Sequence, residues 1–434
     1  MIVTETAKLR ALVLHPTLNS RTAEYDLEEA VGLAEALDVE VTGAELVPIR
    51  EIKVANYLGS GKIDEIKAQL KATNSDLVVI NAALSPIQQR NLEKIWDAKV
   101  IDRTGLILEI FALRAATKEG VLQVEHARLA YERSRLVRTW THLERQRGGQ
   151  GFIAGPGETQ IESDRRMLQD KIQKLKKQLD QVRRTRGLQR ESRKRAPERI
   201  VALVGYTNAG KSSLFNKLTE GGVLAKDMLF ATLDTTHRIL PLPNGKPAIL
   251  SDTVGFISDL PTDLITAFRA TLEEVKEADL ILHVRDIADP LSERRKRDVL
   301  DVLDLIEAGK EHGQVIIDVW NKIDLLSEIE QEEAVERAVT TQSSDNDTSS
   351  YAVSCLSGLG LEDLRHGIEQ ELSKEDEIIT VAISPQQYSV RAWLHRKGDV
   401  MFENTRKTGV CEMEVRLSDV DAGKLRARHP DVIA

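Results

Sequence analysis

The chain has 434 residues and carries 60 Lys and Arg against 69 Asp and Glu, a formal net charge of −9. Apolar residues make up 41% of the sequence, which excludes wholesale disorder and can fill the cores of roughly three domains. The overall acidity gives no indication of nucleic-acid binding, so any basic surface must be local. Cys355 and Cys411 lie far apart without metal-ligand spacing, which excludes a disulfide framework and fits a reducing compartment.

The sequence carries no recognisable targeting or membrane signal. Its start, MIVTETAKLR, lacks the apolar core of a signal peptide, and no apolar run approaches the length of a membrane span. We therefore expect a soluble, cytoplasmic protein without a membrane span, and we expect a monomer.

The N-terminal region, residues 1–120, alternates short apolar runs with helical periods. LRALVLH, VEVTGAEL and SDLVVINA are typical of strands. The segments TAEYDLEEAVGLAEALD, KIDEIKAQLKATN and SPIQQRNLEKIWDA are typical of helices. This alternation predicts a small α/β domain with a largely parallel sheet.

Residues 121–197 have a different pattern, with two apolar stripes at helical spacing. The first stripe consists of Val124, Leu129, Leu136, Trp140 and Leu143. The second, spaced as in a coiled-coil seam, consists of Leu168, Ile172, Leu175, Leu179 and Val182. Because the glycine-dense GGQGFIAGPGE lies between them, we predict two antiparallel helices joined by a loop.

The second of these helices is strongly basic. Between Arg165 and Arg199 there are 14 Lys or Arg and 4 acidic residues. A solvated coiled-coil face is the ordinary reason for such a run. Within an acidic chain, however, this local excess of positive charge favours an anionic partner.

Two further regions follow. Residues 198–373 again alternate apolar strands with helical periods and contain a polar loop at 341–350, which predicts a second α/β domain. In residues 374–434 the runs EIITVAIS, VRAWLH and CEMEVRL are strand-like and predict a small β-rich α+β domain.

The strongest motif is VALVGYTNAGKSSLFNKL, in which an apolar strand leads into Gly205-x-x-x-x-Gly210-Lys211-Ser212 and then a helix. Glycines let the backbone N–H groups face phosphate oxygens at a helix N-terminus. Lys211 reaches the β- and γ-phosphates, and the Ser212 hydroxyl suits Mg²⁺. A turn that binds nothing is the alternative, and the flanking strand and helix argue against it.

The base is indicated by WNKIDLL, which follows the strand-like QVIIDV. In Asn321-Lys322-x-Asp324 the carboxylate accepts hydrogen bonds from N1–H and the 2-amino group of guanine, and adenine lacks that pair of donors. Asn321 would brace the phosphate loop and the Lys322 stem would cover the base. VSCLSG resembles a last guanine-contacting loop, with backbone N–H groups near Ser354–Leu356.

DTVGF, residues 252–256, is typical of a nucleotide switch. Asp252 would hold Mg²⁺ through water, and the Gly255 N–H would touch the γ-phosphate. Thr232, Thr235 and Thr236 are all candidates for the remaining switch threonine, and local chemistry does not choose among them. In many enzymes that hydrolyse a nucleotide with this switch, the glycine is followed by a glutamine that orients the attacking water. This chain has Phe256 at that position.

Together these motifs resemble the HflX family of ribosome-associated GTPases. GYTNAGKS, FATLD and DTVGFI are similar to the family's versions, as are DRTGLILEIFALRA, EGVLQVEHARL and GPGETQIESDRR upstream. The resemblance covers about residues 10–372. It implies an N-terminal α/β domain, a helical hairpin, a P-loop G domain and a small C-terminal domain. It also implies binding to the large ribosomal subunit, with splitting or rescue of ribosomes under stress.

The resemblance places the switch threonine at Thr232 and makes an apolar residue at Phe256 ordinary. Thr235 departs from it, because a proline is common there, and so does FIAGPGE, which lacks an arginine common before GPGE. Phe152 could stack on RNA instead. The expected RNA contacts at the hairpin tip are Arg145, Arg147, Gly149, Gly151, Phe152, Arg165 and Arg166.

The expected cofactors are GTP or GDP and Mg²⁺. Lys211, Thr232 and Gly255 are the expected catalytic groups, and Ser212, Thr232 and Asp252 the metal ligands. The expected nucleotide contacts are Gly205, Tyr206, Thr207, Asn208, Ala209, Gly210, Lys211, Ser212, Ser213, Phe230, Ala231, Thr232, Leu233, Asp234, Asp252, Thr253, Val254, Gly255, Asn321, Lys322, Ile323, Asp324, Ser354, Cys355 and Leu356.

Three alternatives remain open. The chain could be a regulatory GTP switch that acts on a protein partner without ribosome contact. Lys62, in LGSGKIDEI, could mark a second phosphate site and an RNA-remodelling ATPase, although a plain turn into a helix accounts for the same residues. Asn208 could help to hold a potassium ion or merely cap a turn.

Overall fold

The computed structural model describes residues 8–18, 20–146, 156–193, 199–219, 229–230, 233, 235–258, 269–342, 348–374, 376–406 and 408–433. The chain divides into two compact units. The first contains the N-terminal region with segments 225–234 and 257–271, and the second contains the remaining residues up to the C-terminus. No helix in the described ranges is long and apolar enough to cross a membrane.

The first unit is built on a four-stranded parallel sheet in the order β2-β1-β3-β4. Its strands are β1 (Arg10–Thr17), β2 (Glu40–Pro48), β3 (Leu77–Ile80) and β4 (Lys99–Asp102). Its helices are α1 (Ala23–Glu35), α2 (Ser60–Thr73), α3 (Pro86–Trp96) and α4 (Arg103–Arg114). This is the predicted α/β architecture, although our sequence analysis assigned neither β4 nor α4.

Two long helices follow, α5 (Lys118–Gln146) and α6 (Pro156–Arg193). Arg133 of α5 donates a hydrogen bond of 2.8 Å to Gln169 of α6, which joins residues equally far from the connecting loop. The pairing is therefore antiparallel. Ile172, Leu175 and Leu179 of the predicted seam are buried, because an apolar stripe on a helix packs away from water.

Helix α5 is fastened to the first sheet by a buried carboxylate at the end of β4. Asp102 accepts hydrogen bonds from the Tyr131 hydroxyl (2.7 Å) and from the backbone N–H of Gly105 (2.9 Å). Arg135, one turn beyond Tyr131, lies 3.4 Å from the other carboxylate oxygen. Burial and the neighbouring Asp102 raise the pKa of Tyr131, so its hydroxyl keeps the proton that it donates.

The second unit contains a six-stranded sheet in the order β10-β9-β8-β5-β7-β6, parallel except for β6 at one edge. Its strands are β5 (Ile200–Gly205), β6 (Thr236–Pro241), β7 (Pro247–Asp252), β8 (Leu280–Asp286), β9 (Val315–Asn321) and β10 (Ser350–Ala352). Its helices are α7 (Lys211–Thr219), α8 (Arg269–Lys276), α9 (Ser292–Leu305), α10 (Glu328–Gln342) and α11 (Leu361–Ser373). The strand order reverses at β5, which is where open α/β sheets bind ligands.

The C-terminal domain is a three-stranded antiparallel sheet in the order β11-β13-β12. Its elements are β11 (Glu377–Ile383), α12 (Tyr388–Lys397), β12 (Asp399–Thr405), β13 (Cys411–Leu417) and α13 (Asp419–Arg428). The prediction of a strand at VRAWLH was wrong, because these residues lie in α12. Ser384 and Gln387 form a capping box before this helix, and Val390 and Leu394 bury one face four residues apart.

Candidate functional site

The phosphate loop joins the end of β5 to the start of α7, and its shape depends on two glycines. Gly205 has a φ of +151°, and a Cβ added there would lie 2.2 Å from the Val284 carbonyl oxygen. Gly210 has a φ of +92°, and its Cβ would lie 2.1 Å from Nδ2 of Asn321. No larger residue fits either position, so the glycines are required for the close packing of the loop.

Lys211 is the first residue of α7 and directly follows this loop. Its Nζ donates hydrogen bonds to the carbonyl oxygens of Gly205 (3.0 Å) and Tyr206 (2.7 Å). Burial lowers the pKa of Lys211 to about 8, and the carboxylate of Asp252 only partly opposes that shift. The amine is therefore held against the backbone of the glycine motif.

A pair of oxygen donors lies beside the lysine. The Ser212 hydroxyl, in the first turn of α7, donates a hydrogen bond of 2.8 Å to the Asp252 carboxylate at the end of β7. A hydroxyl and a buried carboxylate are hard oxygen ligands, the type that Mg²⁺ prefers, so these residues fit the metal. Thr232, the third expected ligand, lies outside the described residues, as do Ala231 and Asp234.

The DTVGF stretch is held against the phosphate loop through its backbone. Phe256 N–H donates to the Gly205 carbonyl (3.1 Å), and Thr207 N–H donates to the Phe256 carbonyl (2.7 Å). A Cβ added at Gly255 would lie 3.0 Å from Lys211 Nζ, so the switch backbone passes beside the lysine. The Phe256 side chain is 1% exposed, packed in the core and without a polar atom.

Asn321, at the end of β9, connects two loops of the site. Its Nδ2 donates 2.8 Å to the Ala209 carbonyl of the phosphate loop. Its Oδ1 accepts a hydrogen bond of 3.3 Å from the Cys355 N–H. Because the side chain is 1% exposed, both bonds are sheltered from water and fix the phosphate loop to the base side of the site.

The expected guanine contacts come together around Asp324. The Ser354 hydroxyl donates a 2.5 Å hydrogen bond to the Asp324 carboxylate, and Lys322 Nζ lies 2.8 Å from Asp286. The Ser354 and Cys355 N–H groups, however, donate to the Leu359 carbonyl and to Asn321. Of the three amides expected to face the base, these two are therefore used within the protein, and the Leu356 N–H is the better candidate.

A buried charged cluster that was not predicted from the sequence lies behind the phosphate loop. Asp318 of β9 lies 2.9 Å from both Arg285 and Lys296 and 3.7 Å from His283, its register partner on β8. Burial lowers the pKa of His283 to about 4. Burial disfavours ionisation of Asp318, yet the neighbouring cations hold its pKa below the usual range. The feature of the sequence that could have indicated this cluster is the presence of polar residues inside the apolar runs ILHVRD and VIIDV.

Tyr206 of the phosphate loop has a cation partner in this region. The Arg295 guanidinium lies 4.6 Å from the centre of its ring and forms an ion pair with Asp289. Tyr206 is buried, so its ring forms part of the wall behind the loop. Asn208, in contrast, is exposed at a φ of 59°, the left-handed conformation of a turn.

The other expected nucleotide contacts are divided between the two units. Val254 and Ile323 are buried and Ser213 is half-buried, all within the second unit. Phe230 and Leu233 belong to the first unit, where Phe230 packs edge-to-face on Phe111 with 4.8 Å between ring centres.

Three of the seven expected RNA contacts lie within the described residues. Arg147, Gly149, Gly151 and Phe152 lie outside the described residues. Arg145 belongs to α5, and Arg165 and Arg166 are exposed on α6.

Lys62, the centre of the alternative ATP site, lies in the first turn of α2 and has charge partners within the protein. Its ammonium forms ion pairs with Glu45 of β2 and with Glu65 one turn along α2. Two carboxylates beside the amine repel a phosphate group. The preceding Gly59 has a φ of −73°, so the backbone there is ordinary extended chain rather than a phosphate-cradling turn.

Sequence comparison identifies four matched families along the chain. They are described as "GTP-binding GTPase N-terminal" (residues 24–112), "GTP-binding GTPase Middle Region" (114–193), "50S ribosome-binding GTPase" (200–322) and "HflX C-terminal domain" (338–431). The four matches follow one another along the chain and together cover most of its length.

Individual relatives cover nearly the whole chain. "GTPase HflX" of Magnetococcus marinus is 48% identical over 88% of this chain and 87% of its own length. "GTPase HflX" of Escherichia coli is 40% identical over 98% of this chain and 97% of its own length. The crystal structure of "SsGBP and GDP complex" has a TM-score of 0.50 and 27% identity over 83% of this chain and 98% of that one. The chain therefore belongs to the HflX family of GTPases, as its motifs indicated.

Proposed function

We propose that this GTPase hydrolyses GTP slowly by itself and that the large ribosomal subunit completes its active site. The observation that carries the proposal is Phe256, which is buried and tied by its backbone to the phosphate loop. A phenyl ring neither donates nor accepts a hydrogen bond, so it cannot orient the attacking water. A partner that orders the DTVGF stretch and the segment around Thr232 would align the attacking water instead.

The chain's own contribution is charge stabilisation and positioning. Lys211 and the loop amides would stabilise negative charge on the transferred phosphoryl group and on the leaving oxygens. Gly255, beside Lys211, would offer its N–H to the γ-phosphate. Ser212, Asp252 and Thr232 would hold Mg²⁺, which would supply positive charge to stabilise the charge of the phosphates.

The basic hairpin supports a ribosomal partner. Helix α6 carries Arg165 and Arg166, exposed near the loop that joins it to α5, and the charge excess continues along the helix. The matched family described as "50S ribosome-binding GTPase" supports the same partner. We propose that Arg145, Arg147, Phe152, Arg165 and Arg166 contact rRNA of the large subunit, and that binding serves to split or rescue ribosomes under stress.

Binding of the full-length chain to purified large subunits tests this proposal. We expect tight binding with a non-hydrolysable GTP analogue, weaker binding with GDP, and a steep decrease as salt is raised. The double variant R165Q/R166Q should bind about 10-fold more weakly at the same salt because two phosphate contacts are lost.

The matched control removes the same charge elsewhere. Lys94 and Lys99 are exposed in the first unit, and K94Q/K99Q should bind subunits like the wild type. Subunit binding that is absent, or equally weakened in both double variants, would contradict hairpin recognition. The regulatory switch without ribosome contact would then account better for the chain.

A further inference from the structure

The C-terminal domain has a basic groove between its two helices. The groove has a volume of about 190 Å³, and its walls include an aromatic ring and four nitrogen-bearing side chains. Those residues are Trp393, Arg396, Lys424, Arg428 and His429. Helices α12 and α13 pack on the small sheet and share its hydrophobic core through Val390, Leu394 and Leu425.

The basic side chains of this groove differ in whether they form an ion pair. Lys424 is paired with Asp421 at 2.7 Å. Among the residues that the structure describes, Arg396 and Arg428 form no ion pair, and both side chains are exposed. Two guanidinium groups that share one cavity without a carboxylate repel each other, so the site favours an anion that bridges them.

A second cavity of about 140 Å³ continues the basic surface, because Arg396 lines both. It adds Lys397, Lys246 and Arg199 and includes the carboxylates of Asp376 and of Asp421, the partner of Lys424. Asp376 is already held by Lys246 at 3.0 Å and by Arg199 at 3.9 Å. The positive charge along the two cavities therefore comes from Arg396, Lys397 and Arg428.

We propose that this surface, defined by Trp393, Arg396, Lys397 and Arg428, binds a single-stranded segment of RNA. Guanidinium groups match phosphate oxygens in pairs, and a chain of phosphates spans neighbouring cavities as one compact anion does not. Trp393 is half-buried between the cations, where a base stacks on its ring. The inference rests on the proposed association with the large subunit and supplies a contact distinct from the hairpin.

The test uses the full chain and the double variant R396Q/R428Q. Its control, R406Q/R416Q, removes two charges of the same domain that are paired with Glu412 and Asp399. Affinities are measured for large subunits with a non-hydrolysable GTP analogue and, separately, for a 30-nucleotide uridine RNA. We expect R396Q/R428Q to weaken both by about 10-fold and to lower the salt slope by about 1.5, with the control unchanged.

The outcomes separate the inference from the proposed function. If the wild-type protein does not bind subunits, the proposed function is contradicted. The affinity of the two variants for the uridine RNA then tests the groove independently of the ribosome. Equal RNA affinities of R396Q/R428Q and wild type, at equal thermal stability, overturn the inference. A photo-crosslinker at Ser389, which also lines the groove, should label rRNA. Labelling of a ribosomal protein instead would overturn the RNA assignment.

Discussion

Replacing Asp324 with asparagine is expected to weaken GDP binding by about 100-fold or more. The carboxylate would offer acceptors to the N1–H and 2-amino donors of guanine, and the asparagine amide would direct its own N–H₂ at one of them. Losing one charge-assisted hydrogen bond and leaving a donor unpaired costs about 3 kcal/mol together. Fluorescent GDP titration of the wild type and D324N measures the difference directly.

Xanthine nucleotides provide the internal control for this prediction. Xanthine carries an oxygen at position 2 in place of the amino group, so D324N should bind XDP more tightly than it binds GDP. The Ser354 hydroxyl donates to Asp324, and S354A removes only this one hydrogen bond to the carboxylate, so it should weaken GDP binding by only about 10-fold. GDP affinity of D324N within about threefold of wild type would show that Asp324 does not read the base.

The buried cluster behind the phosphate loop predicts a second large effect. Asp318→Ala leaves the buried Arg285 and the partly exposed Lys296 without their shared carboxylate, and Arg285 keeps only its ion pair with Glu293. Breaking a buried ion pair in this way lowers the free energy of unfolding by about 3–5 kcal/mol. Urea unfolding followed by circular dichroism should therefore give a much lower midpoint for D318A.

The same cluster makes the fold sensitive to acid. The folded pKa of His283 is about 4, below the ordinary value of 6.5, so between these pH values the unfolded chain binds a proton that the native chain does not. The free energy of unfolding should fall by up to about 3 kcal/mol as the pH drops from 6.5 to 4. The lowered pKa of Asp318 acts in the same direction at lower pH.

Two histidine variants isolate this contribution. H283N should flatten the pH dependence of the unfolding free energy between pH 6.5 and 4, whatever its effect on stability at neutral pH. H312N removes a histidine on the surface, paired with Asp304 at 3.1 Å, and should keep the wild-type slope. If the unfolding free energy of H283N depended on pH as steeply as that of the wild type, His283 would not be the source of the pH dependence.

The nucleotide motifs could be predicted from the sequence because their positions follow from strand geometry. Gly205, Asp252 and Asn321 each end a strand of a parallel sheet, so their spacing along the chain already implies one common edge. The fold class of the chain followed from the same alternation and is confirmed by the structure and the matched families.

What the sequence did not predict depends on contacts between distant residues. His283 and Asp318 meet only because β8 and β9 pair in one register, which no local pattern encodes. The amides of Ser354 and Cys355 are likewise used by partners elsewhere in the chain, Leu359 and Asn321. VRAWLH was assigned the wrong element because Val, Trp and Leu are compatible with a strand, whereas capping and tertiary packing form a helix.

Single-turnover GTP hydrolysis, measured alone and with purified large ribosomal subunits at fixed salt, shows whether the ribosome completes the active site. We predict slow hydrolysis alone and a large acceleration by subunits, lost when residues 148–157 are deleted and retained in K94Q/K99Q. A rate that subunits leave unchanged, whether slow or fast, would contradict this prediction, because the ribosome would then not supply what the buried Phe256 lacks.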